Sequence, residues 1–284
     1  MSNMQINAFI GCDNDYKRAG TVLYGAPFDG TTSFRPGTRF GPDALRRESF
    51  GLETYSPYLD KDLSDVCVCD IGDIDICIGD AATALAQVEE AAENILADGK
   101  RPFLLGGEHS VTLGAVRAVA AKYPDLHIVH FDAHADLRDD YLGVRLSHAC
   151  VLRRCHDILG DGRIFQFGIR SGDRSEFEWG AKHVTTHRFG FDGLKETLDA
   201  LAGVPVYFTL DLDVLDPSVF PGTGTPEAGG VTFDELRRAA TLVCSRANVV
   251  GCDAVELSPH YDISGVSTAV AGKIVREMLI ALGR

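Results

Sequence analysis

Leu126-His127-Ile128-Val129-His130-Phe131-Asp132-Ala133-His134-Ala135-Asp136 is the stretch on which the reading turns. Its first half is apolar and rich in Ile, Val and Phe, the composition of a buried strand. Its second half sets Asp132, His134 and Asp136 at every other position. On extended backbone such side chains point to one face. Two carboxylates and an imidazole are costly to place at the end of a buried strand, and a metal cation offsets that cost.

Two more stretches repeat this pattern. Val206-Tyr207-Phe208-Thr209-Leu210-Asp211-Leu212-Asp213 is an apolar run ending in two aspartates that alternation puts on one face. Phe103-Leu104-Leu105-Gly106-Gly107-Glu108-His109-Ser110 is an apolar run, a glycine pair for a tight turn, then His109. A single Asp-rich strand end often only caps the next turn. Three recurrences point instead to one metal centre, with ligands His109, Asp132, His134, Asp136, Asp211 and Asp213. Carboxylate-rich sets supplemented by imidazole suit Mn²⁺ better than Zn²⁺. Six donors exceed the need of one ion, and two ions ~3.5–4 Å apart would share them around one hydroxide.

Outward from these stretches, strand patterns alternate with helix patterns along the whole chain. Strands are read near residues 21–27, 65–74, 101–105, 126–131, 163–170, 183–186, 206–212 and 249–257. Helices are read over about 81–97, 110–123, 191–201, 232–245 and 267–282. Asp80 and the Thr232…Glu235 box mark two helix starts, and Gly99 marks a stop. This alternation predicts an α/β fold, a three-layer α/β/α sandwich around a mostly parallel sheet of about eight strands. Ligands bind outside the carboxyl ends of such strands, where all three motifs lie. Residues 1–284 read as a single domain, with 1–17 as an N-terminal arm that could pack on another subunit. Asp70, Asp73 and Asp75 are set aside as ligands, since nothing pairs them with histidine.

Composition narrows the partners. Forty-one acidic against 27 basic residues give a formal charge of −14, which argues against nucleic acid and anionic membrane. A small cationic substrate fits that charge. The eight cysteines mostly sit in apolar runs and form no Cys-x-x-Cys pair. With no signal-peptide pattern and no run of about 18 apolar residues, the expectation is a reduced, cytoplasmic protein.

Gly106-Gly107-Glu108-His109-Ser110, Asp132-Ala133-His134-Ala135-Asp136 and Asp211-Leu212-Asp213-Val214-Leu215-Asp216-Pro217 resemble the signature motifs of the ureohydrolase family, which includes arginase and agmatinase. Pro27-Phe28-Asp29, Ser33-Phe34-Arg35-Pro36-Gly37, Gly41-Pro42, Pro221-Gly222-Thr223-Gly224-Thr225-Pro226 and Val255-Glu256-Leu257-Ser258-Pro259 resemble its agmatinase-like branch. The resemblance runs from about residue 20 to the C-terminus. It implies the same fold, two Mn²⁺ per chain, a homo-oligomer (trimer or hexamer), and hydrolysis of agmatine to putrescine and urea. Guanidinobutyrate, guanidinopropionate, guanidine and arginine are the alternative substrates. No Asn-Pro-Ser-like segment for an α-amino acid is found, which disfavours arginine.

The same resemblance assigns roles. Asp136 matches the aspartate that hydrogen-bonds the hydroxide, and His148 matches the histidine that shuttles a proton. His148 also has an ordinary pKa near working pH. Glu256 ends an apolar strand and is expected to pair with the guanidinium, whose planar fork a carboxylate matches. Glu108 is expected to orient a ligand rather than be one. Residues 139–145 and 220–230 are expected to close the far end of the pocket. His127, His130, His156, His183, His187 and His260 are given no role. A single-zinc deacetylase-like enzyme, a catalytically dead scaffold and a phosphoesterase are the rivals. The full set of six donors speaks against the first two, and the lack of an Asn-His pattern against the third.

Overall fold

The computed structural model describes residues 8–283. Eight strands form one sheet: β1 (Thr21–Ala26), β2 (Val68–Asp73), β3 (Arg101–Gly106), β4 (His127–Phe131), β5 (Ile164–Ile169), β6 (Thr185–Arg188), β7 (Pro205–Asp211) and β8 (Asn248–Val255). Their order across the sheet is β2-β1-β3-β8-β7-β4-β5-β6. Every pairing within it is parallel, whereas the sequence allowed some antiparallel edge. The helices are α1 (Gly41–Ser49), α2 (Ala81–Ala97), α3 (Thr112–Lys122), α4 (Val151–Leu159), α5 (Arg174–His183), α6 (Leu194–Ala200), α7 (Phe233–Arg246) and α8 (Val266–Leu282).

Parallel strands covered on both faces must be apolar on both, and these are. Leu23, Phe103, Leu105, Val129, Phe131 and Phe208 pack into a core with α1, α6, α7 and α8. Val22, Tyr24, Leu104, Ile128 and Tyr207 pack into a second core with α2, α3 and α4. Burying each such side chain contributes about 1.5–3 kcal/mol. The predicted helix signals operate as read. Asp80 accepts from the Thr83 N–H at 2.9 Å, Gly99 takes φ +75°, and Thr232 and Glu235 form the reciprocal box at α7.

Asp70 and Asp73 both hold the buried Arg46, which ties α1 to β2 and explains why neither is a ligand. Residues 1–7 of the arm lie outside the described residues. Phe9 and Cys12 are buried in this chain's own core rather than held out for a neighbour, and the Phe9 N–H donates to Asp70 at 2.8 Å. α5 went unread in the sequence, although Asp173 and Glu176 form a capping box at its start. Among the described residues no helix is long and apolar enough to cross a membrane, and the cysteines form no disulfide.

The start of α8 depends on a carboxylate outside the helix. Asp262 accepts from the Ser267 N–H at 2.7 Å and the Ser264 N–H at 3.0 Å, and from both hydroxyls. Burial pushes this carboxyl up, but those four donors outweigh burial and hold it at about 2. A depressed folded pKa gives stability that is present above the unfolded value and lost as pH falls through the folded one. Asp262→Ala is expected to cost about 1 kcal/mol at pH 7, roughly 2–4 °C in Tm. The penalty should shrink as pH falls from 4 toward 2. A penalty constant from pH 7 to pH 2 in thermal melts would reject this account.

Candidate metal and active site

The chemistry-bearing motifs leave β3, β8, β7 and β4, four strands adjacent in the sheet. Their carboxyl ends therefore open into one place. The approach is close. A Cβ on Gly107 would lie 1.9 Å from the Phe28 carbonyl oxygen, so only glycine lets β3 turn there.

The structure brings all six predicted donors together, but not by strand alternation alone. β4 ends at Phe131, so Asp132, His134 and Asp136 lie on the turn beyond it, and Asp136 takes φ +54° in the left-handed region. β7 ends at Asp211, and Asp213 lies in a 3-10 turn. Extended backbone cannot curl around a point, whereas these turns can. Asp213 is drawn in by the Ala133 N–H at 3.2 Å, which joins the two loops.

The donors form two groups. His109 Nδ1 lies 3.2 Å from Asp132, 3.1 Å from Asp136 and 3.4 Å from Asp211. His134 Nδ1 lies 3.1 Å from Asp213 and 3.5 Å from Asp132. Asp132 belongs to both, facing His109 with Oδ2 and His134 with Oδ1. By distance, Asp132, Asp136 and Asp211 stand with His109, and Asp213 and Asp132 with His134.

Hydrogen bonding sets the His109 tautomer. The Thr209 hydroxyl donates to Asp253 at 2.7 Å, so at 2.9 Å it accepts from His109 Nε2–H. In the neutral ring Nδ1 then carries the lone pair, buried without a hydrogen-bond partner and aimed at three carboxylates. Without cations those carboxylates outweigh burial and hold the ring protonated, its pKa well above the ordinary value. That arrangement is repulsive for the neutral ring unless a cation lies among the four groups. Charge balance agrees: four carboxylates carry four negative charges, and two divalent cations between neutral imidazoles cancel them. Without cations, burial and then the charges of Asp213 and Asp132 push the Asp211 carboxyl well up. Asp136 rises too, through burial and then Asp132. The residues therefore fit a pair of divalent ions.

His130, given no role from sequence, buttresses a ligand. Gln166 donates to its Nδ1 at 3.1 Å, so its Nε2–H donates to Asp132 Oδ2 at 2.9 Å. Gln166, His130, Thr209 and Asp253 pair in register from β5 to β8. This polar row crosses the buried sheet one step below the ligands. Its sequence signal was the spacing: His130 precedes Asp132 by two, as Thr209 precedes Asp211.

Glu256 follows β8 in the left-handed region, at φ +67°. Its Oε1 accepts from the His109 N–H at 2.7 Å. Burial, then repulsion from Glu108 and Asp213, raises its carboxyl well above the usual range. No arginine pairs with it among the described residues. Among the described residues the Glu108 carboxylate makes no hydrogen bond to any of the six donors. It accepts from Thr31, Thr32 and Ser110, and Thr31 Oγ1 in turn accepts from the His148 N–H at 3.1 Å. These bonds hold the loop beneath His148 in place. His148 departs from the expected pKa: burial, with His134 and His109 next, pushes it down to about 4.

His109, His134, Asp136, His148, Asp211 and Glu256 line one cavity of about 350 Å³. Its outer wall differs from expectation. Tyr141 and Thr225 are all it takes from segments 139–145 and 220–230, and Ser171, Gly172, Asp173 and Glu176 complete it from the unread turn into α5. Arg138 pairs with Asp173, and with Glu176 at 3.5 Å.

The arginase-family profile matches residues 19–281. An agmatinase of Bacillus subtilis (strain 168) is 48% identical over 276 residues, covering 96% of this chain and 95% of that protein. A mitochondrial guanidino acid hydrolase of Homo sapiens is 37% identical over 276 residues, covering 92% and 78%. The crystal structure of agmatine ureohydrolase of Thermoplasma volcanium superposes with a TM-score of 0.89 at 35% identity, covering 99% of this chain and 95% of that one. On fold, motif and extent of match, the chain belongs to the arginase family, in its agmatinase-like branch of ureohydrolases.

Proposed function

We propose that the protein is a binuclear manganese hydrolase that cleaves the guanidinium of agmatine, giving putrescine and urea. The observation that carries this reading is the orphaned His109 Nδ1 among three carboxylates, on the wall of a cavity that also holds Glu256. Identity to agmatinase supports the substrate class. His109, Asp132, Asp136 and Asp211 would hold one Mn²⁺, and His134, Asp213 and the shared Asp132 the other. When bound, the ions supply Lewis acidity that lowers the pKa of water toward 7.

The chain's own residues do the rest. Glu256 pairs with the guanidinium, whose positive charge relieves the crowding that raises its carboxyl. Asp136 accepts a hydrogen bond from the attacking water and so aims its oxygen. A C–O bond forms, the C–N bond to the amine breaks, and both water protons end on the amine nitrogen. His148, on the cavity wall, relays one of them. Two carboxylates, Asp173 and Glu176, stand against one cation, Arg138, on the outer wall. That balance favours a tail amine over a tail carboxylate. The same reading carries a reducing cytoplasm and a trimer or hexamer, the latter tested by light scattering.

Chelation should abolish urea release, and added Mn²⁺ should restore it with two ions per chain by metal analysis. One ion per chain at full activity would sink the binuclear reading. Across agmatine, guanidinobutyrate, guanidinopropionate, guanidine and arginine, kcat/KM should be highest for agmatine. A preference for guanidinobutyrate would instead make Arg138 the contact to the tail.

Glu256→Gln keeps an acceptor for the His109 N–H but loses the charge. It is expected to lower kcat/KM by about 10²–10³. His148→Asn should lower kcat by about 10²–10⁴ with metal content unchanged. Near-normal kcat in the His148 variant would remove the relay from the scheme.

A further inference from the structure

A second group of donors lies away from the cavity. His156 is in the last turn of α4, His183 is the final residue of α5, and Asp161 stands on the turn between α4 and β5. His156 Nε2 and His183 Nδ1 each lie 2.7 Å from Asp161 Oδ1. The three donor atoms fall within 4.8 Å of one another. None of these residues lines the catalytic cavity.

We propose that His156, Asp161 and His183 bind a divalent transition-metal ion that pins the carboxyl ends of α4 and α5 together. Two imidazoles and one carboxylate suit the borderline ions Zn²⁺, Ni²⁺, Co²⁺ and Cu²⁺, whereas Mn²⁺ and Mg²⁺ favour oxygen-rich sets. Both histidines sit where a helix dipole is negative, so two helix ends add to the Asp161 charge in favouring a cation.

The donors are also pre-oriented. Gly160 and Gly162 flank Asp161 in the left-handed region, at φ +83° and +73°. This tight turn is tied to α5 by the Gly162 N–H donating to the His183 carbonyl at 3.0 Å. Trp179 stacks on the His183 ring at 4.3 Å and meets the His156 ring edge-on at 4.7 Å. Asp161 is exposed, so an ion has access. One feature limits affinity: His156 Nδ1 is buried without a hydrogen-bond partner. Lack of that support typically weakens a site by about 10–100-fold, so micromolar binding is expected.

α4 and α5 have 9 and 10 residues and span about 14–15 Å. Their opposite ends lie beside the catalytic cavity, where His148 precedes α4 and Glu176 lies in the first turn of α5. An ion at the far ends would fix how these two helices sit against each other.

Trp179 is the chain's single tryptophan, so its fluorescence reports on this site without interference. Ni²⁺ is titrated into the Mn²⁺-loaded protein. Saturable quenching with a micromolar midpoint is expected. Asp161→Asn and His183→Gln should each raise that midpoint at least tenfold while leaving Mn²⁺-dependent urea release intact. Absent quenching in the natural protein, or one midpoint shared by all three proteins, would overturn the proposal. The quenching readout is independent of which guanidino compound is hydrolysed.

Discussion

Electrostatic crowding governs this molecule. Asp132, Asp136, Asp211 and Asp213 converge on two imidazoles at the exits of adjacent buried strands. In a desolvated place like charges cannot all persist. The protein can either protonate groups there, as the raised His109, Asp136 and Asp211 pKa values without cations show, or admit cations, which relieve all of them at once. Which nitrogen of His109 faces these carboxylates is set by a hydroxyl on β7 and a carboxylate on β8. The ligand geometry thus rests on the interior of the sheet rather than on the loops alone.

Gln166, His130, Thr209 and Asp253 show how such an interior is tolerated. Four polar side chains across the middle of a parallel sheet would ordinarily be destabilising. Here each donor meets an acceptor: Gln166 to His130, His130 to Asp132, His109 to Thr209, Thr209 to Asp253. Tyr207 and Thr112 complete the Asp253 carboxylate, each at 2.8 Å. A satisfied network specifies one arrangement, and a half-satisfied one would cost more than an apolar core. The backbone follows suit, since Asp136 and Glu256 accept left-handed conformations beside the chemistry.

Much of this was legible in one dimension. Local periodicity marked the eight strands, because strand burial imposes apolar runs. The cap residues of α2 and α7 announced themselves, because capping is chemistry between neighbours. α5 was missed because its apolar positions are few and its box, Asp173 and Glu176, sits in a charged stretch. With it went half of the outer wall of the cavity. His130 was passed over because its use depends on Gln166, 36 residues away on another strand.

By itself, then, the order of residues determined which side chains could be ligands, that they stand at the ends of parallel strands, and the family. These are properties of short segments, where spacing and polarity suffice. Only the tertiary structure decided that β3, β8, β7 and β4 lie side by side, that Asp132 stands in both groups of donors, and which ring nitrogen of His109 faces the carboxylates. Those facts depend on which distant segments meet, and register between strands is set by packing the whole sheet rather than by any stretch of it.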